Sequence, residues 1–175
     1  MIKKFIITLL VLIVTVLVYA VSRPDTFRVE RTATVKAAPD KIFALIQDFH
    51  NWSVWSPYEK LDPAMKRTFS GANSGKGAVY AWDGAGQAGA GRMEILSAPA
   101  ASQVVIQLDF SRPFESRNTA EFSLKPLGDQ TQVTWTMHGP AHFVTKLLGI
   151  FVNMDQMIGK DFEVGLLNLK REAEK

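Results

Sequence analysis

Residue types that commonly carry chemistry are sparse and scattered in this sequence. None of the 175 residues is a cysteine, which excludes a thiolate nucleophile, a disulfide framework and a thiolate metal site. His138 and His142 are four positions apart, but Gly139-Pro140 between them keeps them off a common helical face. A zinc site needs three or four convergent ligands, and a third, such as Asp155, would have to come from a distant segment. We therefore expect no metal site and no cofactor.

Acid–base and nucleophilic motifs are also missing. The sequence contains no nucleophile elbow and no phosphate-binding loop. Asp155, Asp161 and Glu163 spread around a predicted helix, and a solvated helix face explains them more simply than a paired-carboxylate site does. The sequence supplies no catalytic residue, so whether the protein is an enzyme stays open, with binding favoured.

The segment "NWSVWSPYEKLDP", residues 51–63, is unusual for a surface loop because it holds Trp52, Trp55 and Tyr58 between two prolines. Rings of this size bury about 150–250 Å² each when they are removed from water. We expect them to form the wall or mouth of an apolar pocket, with the segment gating the mouth. Structural packing that closes the end of a sheet is the equal alternative.

Alternation along the middle of the chain predicts a second group of inward-facing residues. Ordinary core packing is the favoured explanation for most of them, although a ligand pocket would be lined by the same types. With the aromatic segment and the last helix, the candidate ligand-binding residues are Trp52, Trp55, Tyr58, Phe69, Trp82, Met93, Phe110, Asn118, Phe122, Trp135, Met137, Met154, Ile158 and Phe162.

The elements that would position these residues follow from hydrophobic periodicity. A strand begins at Phe27, a short amphipathic helix begins near Pro39, and about six alternating segments joined by Gly-, Pro- or Asp-containing turns follow. From Phe143 the period becomes helical and predicts one helix of about 30 residues. Gly159 and Gly165 interrupt it, and we expect them to allow close approach of a strand or ligand. The fold class is α+β, a curved antiparallel sheet of about seven strands around a long C-terminal helix.

The N-terminus predicts a membrane anchor. Residues 5–22 carry no charge and would span roughly 27 Å as a helix, just enough to cross a bilayer. Lys3 and Lys4 favour a cytoplasmic N-terminus, which places the following domain on the periplasmic or extracytoplasmic side of the inner (cell) membrane. A cleaved signal peptide ending near Ala20 is the alternative. We assign residues 1–24 to the anchor or signal peptide and 27–173 to one ligand-binding domain.

Charge argues against nucleic acid as a partner. The net charge is +3, of which Lys3, Lys4, Arg23 and Asp25 account for +2. The remaining chain is close to neutral and has no basic stripe.

Four motifs carry a resemblance to a known family: "VKAAPDKIFALIQDFHNWSVWSPYE" at 35–59, "DP" at 62–63, "GKGAVYAWDG" at 75–84 and "DFEVGLLNLK" at 161–170. On these motifs the chain resembles the START-like (SRPBCC) superfamily, on its polyketide cyclase/dehydrase-like branch. The resemblance covers roughly residues 27–173 and implies the helix-grip fold with an internal cavity for an apolar small molecule or lipid. It implies no particular reaction, because one fold hosts many functions.

The expected function is therefore membrane-tethered binding or transfer of a hydrophobic small molecule or lipid. One alternative is a cyclase- or aromatase-like enzyme that uses the same cavity, with Arg67, Asn118 and His138 acting on a positioned substrate. Another is a protein-interaction module, which a collapsed core and an exposed apolar patch would favour. The ligand and the oligomeric state do not follow from the sequence.

Overall fold

The computed structural model describes every residue from Met1 to Lys175. It contains five α-helices and seven β-strands, joined in places by short 3₁₀ turns. Their bounds are α1 Ile2–Ser22, β1 Thr26–Val35, α2 Pro39–Gln47, α3 Trp52–Trp55, β2 Lys66–Gly71, β3 Ala78–Asp83, β4 Ala90–Ser97, β5 Gln103–Arg112, β6 Ser116–Leu127, β7 Gln130–Pro140, α4 Phe143–Phe151 and α5 Met154–Ala173.

The strands form one antiparallel sheet in the order β1-β7-β6-β5-β4-β3-β2. The expectation of about seven strands is confirmed. Side-chain alternation sets the faces: in β6, Asn118, Ala120, Phe122 and Leu124 are buried, and the residues between them are more exposed. β1 pairs with β7, so the strand that follows the N-terminal helix forms one edge of the sheet.

α5 packs against the inner face of this sheet. Its buried residues Phe162, Leu166, Leu169 and Ala173 recur every three or four positions, which is the spacing of one helical face. Helix and sheet share one hydrophobic core, to which the short helices α2 and α3 also contribute. The helix-grip arrangement is therefore confirmed.

The two glycines of α5 mark its closest approaches to the sheet. A Cβ on Gly159 would stand 1.9 Å from Nη2 of Arg31, and a Cβ on Gly165 would stand 2.7 Å from Cζ3 of Trp135. The Arg31 guanidinium lies across the helix and pairs with Asp155 at 3.0 Å. At both glycines the expected close approach is made by side chains of the sheet, which fill the space that a Cβ would need.

The prediction of one helix of about 30 residues was wrong, because α4 and α5 are separate. Val152 is extended, with φ −122° and ψ 124°. Asn153 then caps α5 through its side-chain oxygen, which accepts a hydrogen bond from the Gln156 backbone N–H at 3.0 Å. The hydrophobic period continues across this break, which is why periodicity alone missed it. The break lets α4 turn away and contact α1.

α1 has 21 residues, of which only Ala20 is buried. By length and composition it is the one helix of the structure that could cross a membrane, and a signal sequence would share both properties. The rest of the helix projects its apolar side chains outward.

Candidate functional site

The tryptophans of the 51–63 segment face the core. Trp52 and Trp55 lie in α3, and both side chains are buried. The Trp52 indole N–H donates to the Ile46 carbonyl oxygen at 2.9 Å, and that of Trp55 donates to the Leu45 carbonyl oxygen at 3.0 Å. Both bonds end on α2, so α2 and α3 hold each other in place.

These rings join an aromatic cluster between the sheet and α5. Ring centroids are 4.9 Å apart for Trp52–Trp55, 5.9 Å for Trp55–Phe122 and 4.8 Å for Phe122–Trp135. Trp135 also stacks on Phe162 at 4.0 Å with the ring planes 7° apart. In this part of the interior the aromatic side chains that were predicted to line a pocket therefore pack against one another.

A second aromatic row crosses strands β2 to β5. The centroid separations are 5.1 Å for Phe69–Tyr80, 6.1 Å for Tyr80–Trp82 and 5.6 Å for Trp82–Phe110. Met93 is buried beside Tyr80, its partner in the neighbouring strand. Phe69, at the sheet edge, is 39% exposed.

An ion pair fixes the end of the aromatic segment to the sheet. Glu59 accepts a hydrogen bond from Arg67 Nε at 2.7 Å and another from the Tyr80 hydroxyl at 2.6 Å. Arg67 also donates to the Met65 carbonyl oxygen at 2.7 Å. Burial, reinforced by the Glu59 carboxylate, raises the pKa of Tyr80. Arg67 therefore fixes the 51–63 segment to the sheet through Glu59. If the segment moved as a gate, this ion pair would have to break.

Tyr58 and Asp161 form a second pair with shifted pKa values, and both side chains are half-buried beside the aromatic cluster. Burial and then the charge of Asp161 raise the pKa of Tyr58, and burial raises the pKa of Asp161. The Tyr58 ring lies 6.3 Å from that of Trp135. No second carboxylate or nucleophile joins them, so their perturbed titration follows from packing around the aromatic cluster.

Three buried polar atoms lack a hydrogen-bond partner within the protein: Ser56 Oγ, Asn118 Oδ1 and Trp135 Nε1. An unsatisfied buried group costs about 1–3 kcal/mol. The Asn118 amide is used on one side only, where its Nδ2 donates to Ser116 Oγ at 3.3 Å. Its oxygen therefore remains an unsatisfied acceptor inside the fold.

A cavity of about 530 Å³ lies where β1, α4 and α5 meet at the base of α1. Phe27, Ile150 and Met154 contribute to its apolar wall, and its basic residues are Arg23, Arg28 and Lys146. The volume falls within the roughly 300–1,000 Å³ typical of small-molecule sites. It is a half-open cleft that joins the base of α1 to the edge strand β1.

The inner face of the sheet connects this cavity wall with the buried amide. β1 pairs Phe27 with Gly139 and Val29 with Met137, and both Phe27 and Val29 line the cavity. A Cβ on Gly139 would stand 2.2 Å from Asn118 Oδ1, so this oxygen leans over Gly139. A continuous row of residues therefore leads from the cavity to an unsatisfied acceptor.

The fourteen predicted ligand residues fall into three groups in the structure. Met154 lines the cavity, Ile158 follows one turn later and is half-buried, and Met137 and Asn118 lie on the adjoining strands. The other ten belong to the two aromatic groups: Trp52, Trp55, Tyr58, Phe122, Trp135 and Phe162 in the cluster, and Phe69, Trp82, Met93 and Phe110 in the row.

Several cavity residues were not predicted from the sequence as part of the site, among them Arg23, Lys146, Gly149 and Ile150. They come from two segments far apart in the sequence, and no periodic signal joins them. Gly149, a small residue within the apolar stretch "LLGIF", is the one local sign of open space on that helix face.

The polar residues of the enzyme alternative do not converge. Arg67 lies on β2 and pairs with Glu59, at the opposite end of the sheet from β7. His138 follows the buried Met137 on β7 and so faces outward, whereas Asn118 faces inward. No group of three or more His, Asp or Glu side chains comes together to hold a metal ion.

Comparison with known proteins places this geometry in a family. The model of the family described as polyketide cyclase / dehydrase and lipid transport matches residues 26–174. The chain belongs to this family. The match begins with β1, so it covers the helix-grip domain as expected from the START-like resemblance. No curated protein matches the chain by sequence.

Solved structures share the fold of this polyketide cyclase / dehydrase and lipid transport domain at low sequence identity. A protein from Thermobifida fusca superposes with a TM-score of 0.61 at 21% identity, covering 83% of this chain and 92% of that chain. Ginseng major latex-like protein 151 from Panax ginseng gives 0.58 at 12%, covering 87% and 100%. A protein from Chromobacterium violaceum gives 0.60 at 12%, covering 87% and 99%. These similarities establish the fold.

Proposed function

We propose that this protein binds a hydrophobic small molecule or lipid while residues 5–22 tether it to the cell membrane, with domain 27–173 on the extracytoplasmic side. The observation that carries the proposal is the 530 Å³ cavity at the base of α1. The family's description includes lipid transport. A site beside the anchor draws on lipid at high local concentration, as expected for a tethered binding module.

The lining suggests which molecules would bind. Phe27, Val29 and Met154 offer apolar contact, and Arg23 and Lys146 add basic groups to the same lining. The ligand class is therefore an apolar body that carries a polar or anionic group. Arg23 would contact a polar or anionic group left at the mouth.

Binding and release would be the whole mechanism. The ligand's apolar surface leaves water or lipid for the apolar wall of the cavity. Because the cavity is bounded by α4 and the base of α1, entry takes place beside α4. Sequestration of this kind needs no cofactor and no catalytic group.

The test blocks the cavity without disturbing the core. A Cβ on Gly149 has no neighbour within 4 Å, so Gly149→Trp fills the cavity from open space. Val164→Trp puts the same side chain on an exposed position of α5 and is the matched control. The full chain is purified in detergent, and bound molecules are measured by native mass spectrometry after incubation with mixed bacterial lipids.

We expect the bound mass to persist in the control and occupancy to fall at least about tenfold in Gly149→Trp, which corresponds to roughly 1.4 kcal/mol. Equal occupancy in both variants would show that the ligand binds outside this cavity. A wild-type protein that stays bare after incubation with lipids would refute the binding function.

A further inference from the structure

α4 exposes more apolar surface than a helix in water normally does. None of its nine residues is fully buried. Val144, Leu148 and Phe151 are exposed by 57%, 48% and 74%, and Val152 just after the helix is also exposed. Contiguous apolar patches of this kind mark contact surfaces for membranes or proteins.

The exposed residues form one face of α4. Val144, Leu148 and Phe151 are spaced four and three positions apart and therefore lie together. The opposite face carries Lys146 and Gly149, which line the cavity. Phe151, at the end of α4, and Val152 also line the cavity, so the exposed apolar face of the helix reaches the edge of the cavity at this end.

Several contacts fix α4 to the base of α1. The Arg23 guanidinium donates to the Gly149 carbonyl oxygen at 3.1 Å. The Ala141 backbone N–H donates to the Asp25 carbonyl oxygen at 2.7 Å, and Lys146 pairs with the Asp25 carboxylate. Arg23 and Asp25 directly follow the last turn of α1, so α4 lies at the level where α1 would leave a bilayer.

We propose that the partner of this apolar face is the bilayer that α1 enters. α4 lies in the membrane surface with Val144, Leu148 and Phe151 in the boundary between headgroups and acyl chains, where interfacial helices bury their apolar side. The cavity behind α4 then opens at headgroup level. This inference rests on the proposed tether, because the position of α4 follows from that of α1.

The absence of cysteine makes the depth of single positions measurable. Leu148→Cys, labelled with the fluorophore NBD, reports on the apolar face of α4. Leu167→Cys, at a position of α5 with similar exposure, is the matched control. Val11→Cys in the middle of α1 reports on the tether. Each full-length variant is reconstituted in vesicles of phosphatidylcholine and phosphatidylglycerol, with and without spin-labelled lipid.

We expect spin-labelled lipid to quench the label at position 148 at least about twofold and to leave position 167 unaffected, because only the former would lie in the interfacial region. Quenching at 11 without quenching at 148 would overturn the docking of α4 and leave the tether intact. A blue-shifted but unquenched label at 148 would show that a second copy or another protein covers the face, which also overturns the proposal. Absence of quenching at both positions 11 and 148 would contradict both the membrane tether and the docking of α4.

Discussion

The amide oxygen of Asn118 occupies space that a side chain at position 139 would need. A Cβ on Gly139 would stand 2.2 Å from Asn118 Oδ1, and that oxygen has no hydrogen-bond partner. The missing side chain on β7 therefore allows a polar atom of β6 to lean towards β1 and the cavity wall. A buried acceptor held in this way costs stability until something donates to it.

Replacing the unsatisfied amide should stabilise the protein. We expect Asn118→Leu to raise the free energy of unfolding by about 1 kcal/mol, because it removes a buried acceptor that has no partner. Urea unfolding of the full chain in detergent, followed by tryptophan fluorescence, measures this effect.

The matched control for this change is Asn168→Leu. The Asn168 amide donates to the Trp55 carbonyl oxygen at 3.1 Å, so we expect the same substitution there to lower the free energy of unfolding by about 1 kcal/mol. Equal destabilisation by both variants would contradict the assignment of an unsatisfied acceptor to Asn118.

The same substitution should have opposite effects at two glycines. A Cβ at Gly165 would meet Trp135 at 2.7 Å and Pro57 at 3.1 Å, whereas one at Gly149 meets nothing within 4 Å. We expect Gly165→Ala to destabilise the fold by about 1–3 kcal/mol through overpacking. Gly149→Ala should stabilise it by up to about 1 kcal/mol through helix propensity. Thermal unfolding of both variants checks the sign, and a stabilised Gly165→Ala would disprove the close packing.

Loss of the Glu59–Arg67 ion pair should destabilise the fold more than loss of the Tyr80 hydroxyl. Only 9% of the Glu59 side chain is exposed, and it accepts from both Arg67 and Tyr80. We expect Glu59→Gln to cost about 1–3 kcal/mol, because Arg67 loses its charged partner in a half-buried position. Tyr80→Phe removes one neutral donor and should cost about 1 kcal/mol. Urea unfolding compares the two, and a larger effect of Tyr80→Phe would reverse the assignment.

Asp161 should make the protein less stable as pH rises. Burial raises its pKa above the ordinary 3.8, so the folded chain holds this proton more tightly than the unfolded chain does. The stability it contributes is complete below the ordinary pKa and is lost as pH rises through the folded pKa. We expect Asp161→Asn to raise the unfolding temperature at pH 7 and the difference to shrink in acid.

Asp155→Asn is the control of opposite sign. The hydrogen bond from Arg31 lowers the pKa of Asp155, so its contribution is present above the ordinary pKa and is lost as pH falls. We expect this variant to be less stable than the wild type at pH 7 and to approach it in acid. Both variants shifting in the same direction at pH 7 would contradict the two assignments.

Strand positions were the most predictable part of the fold. Alternation in β6 and β7 placed Phe122 and Trp135 inside, and the helical period placed Phe162 opposite them, because each pattern reports which side of an element is buried. The boundary between α4 and α5 was missed because apolar residues continue across it. The Asn153 cap, with Gln156 three residues later, was the only signal of the break.

The site was less predictable because periodicity shows which residues are buried, but not whether a ligand or other side chains bury them. Trp52 and Trp55 are buried by other rings, although their pattern would be the same around a ligand. The cavity combines Arg23, Phe27, Lys146 and Met154, which are brought together only by the contact between α4 and the base of α1. No spacing within one element could indicate it.

The contacts between α5 and β1 also set the order in which the domain can form. Lys170 donates to the Thr34 carbonyl oxygen at 2.9 Å, and the Lys36 backbone N–H donates to Glu174 at 2.7 Å. During synthesis β1 emerges just behind α1, whereas α5 emerges after every other strand and helix, so the first strand waits for nearly the whole chain before it gains its partners. If α1 enters the membrane first, the rest of the nascent chain stays incompletely folded beside the lipid surface during that interval. The apolar face of its strands is covered only when α5 has been synthesised.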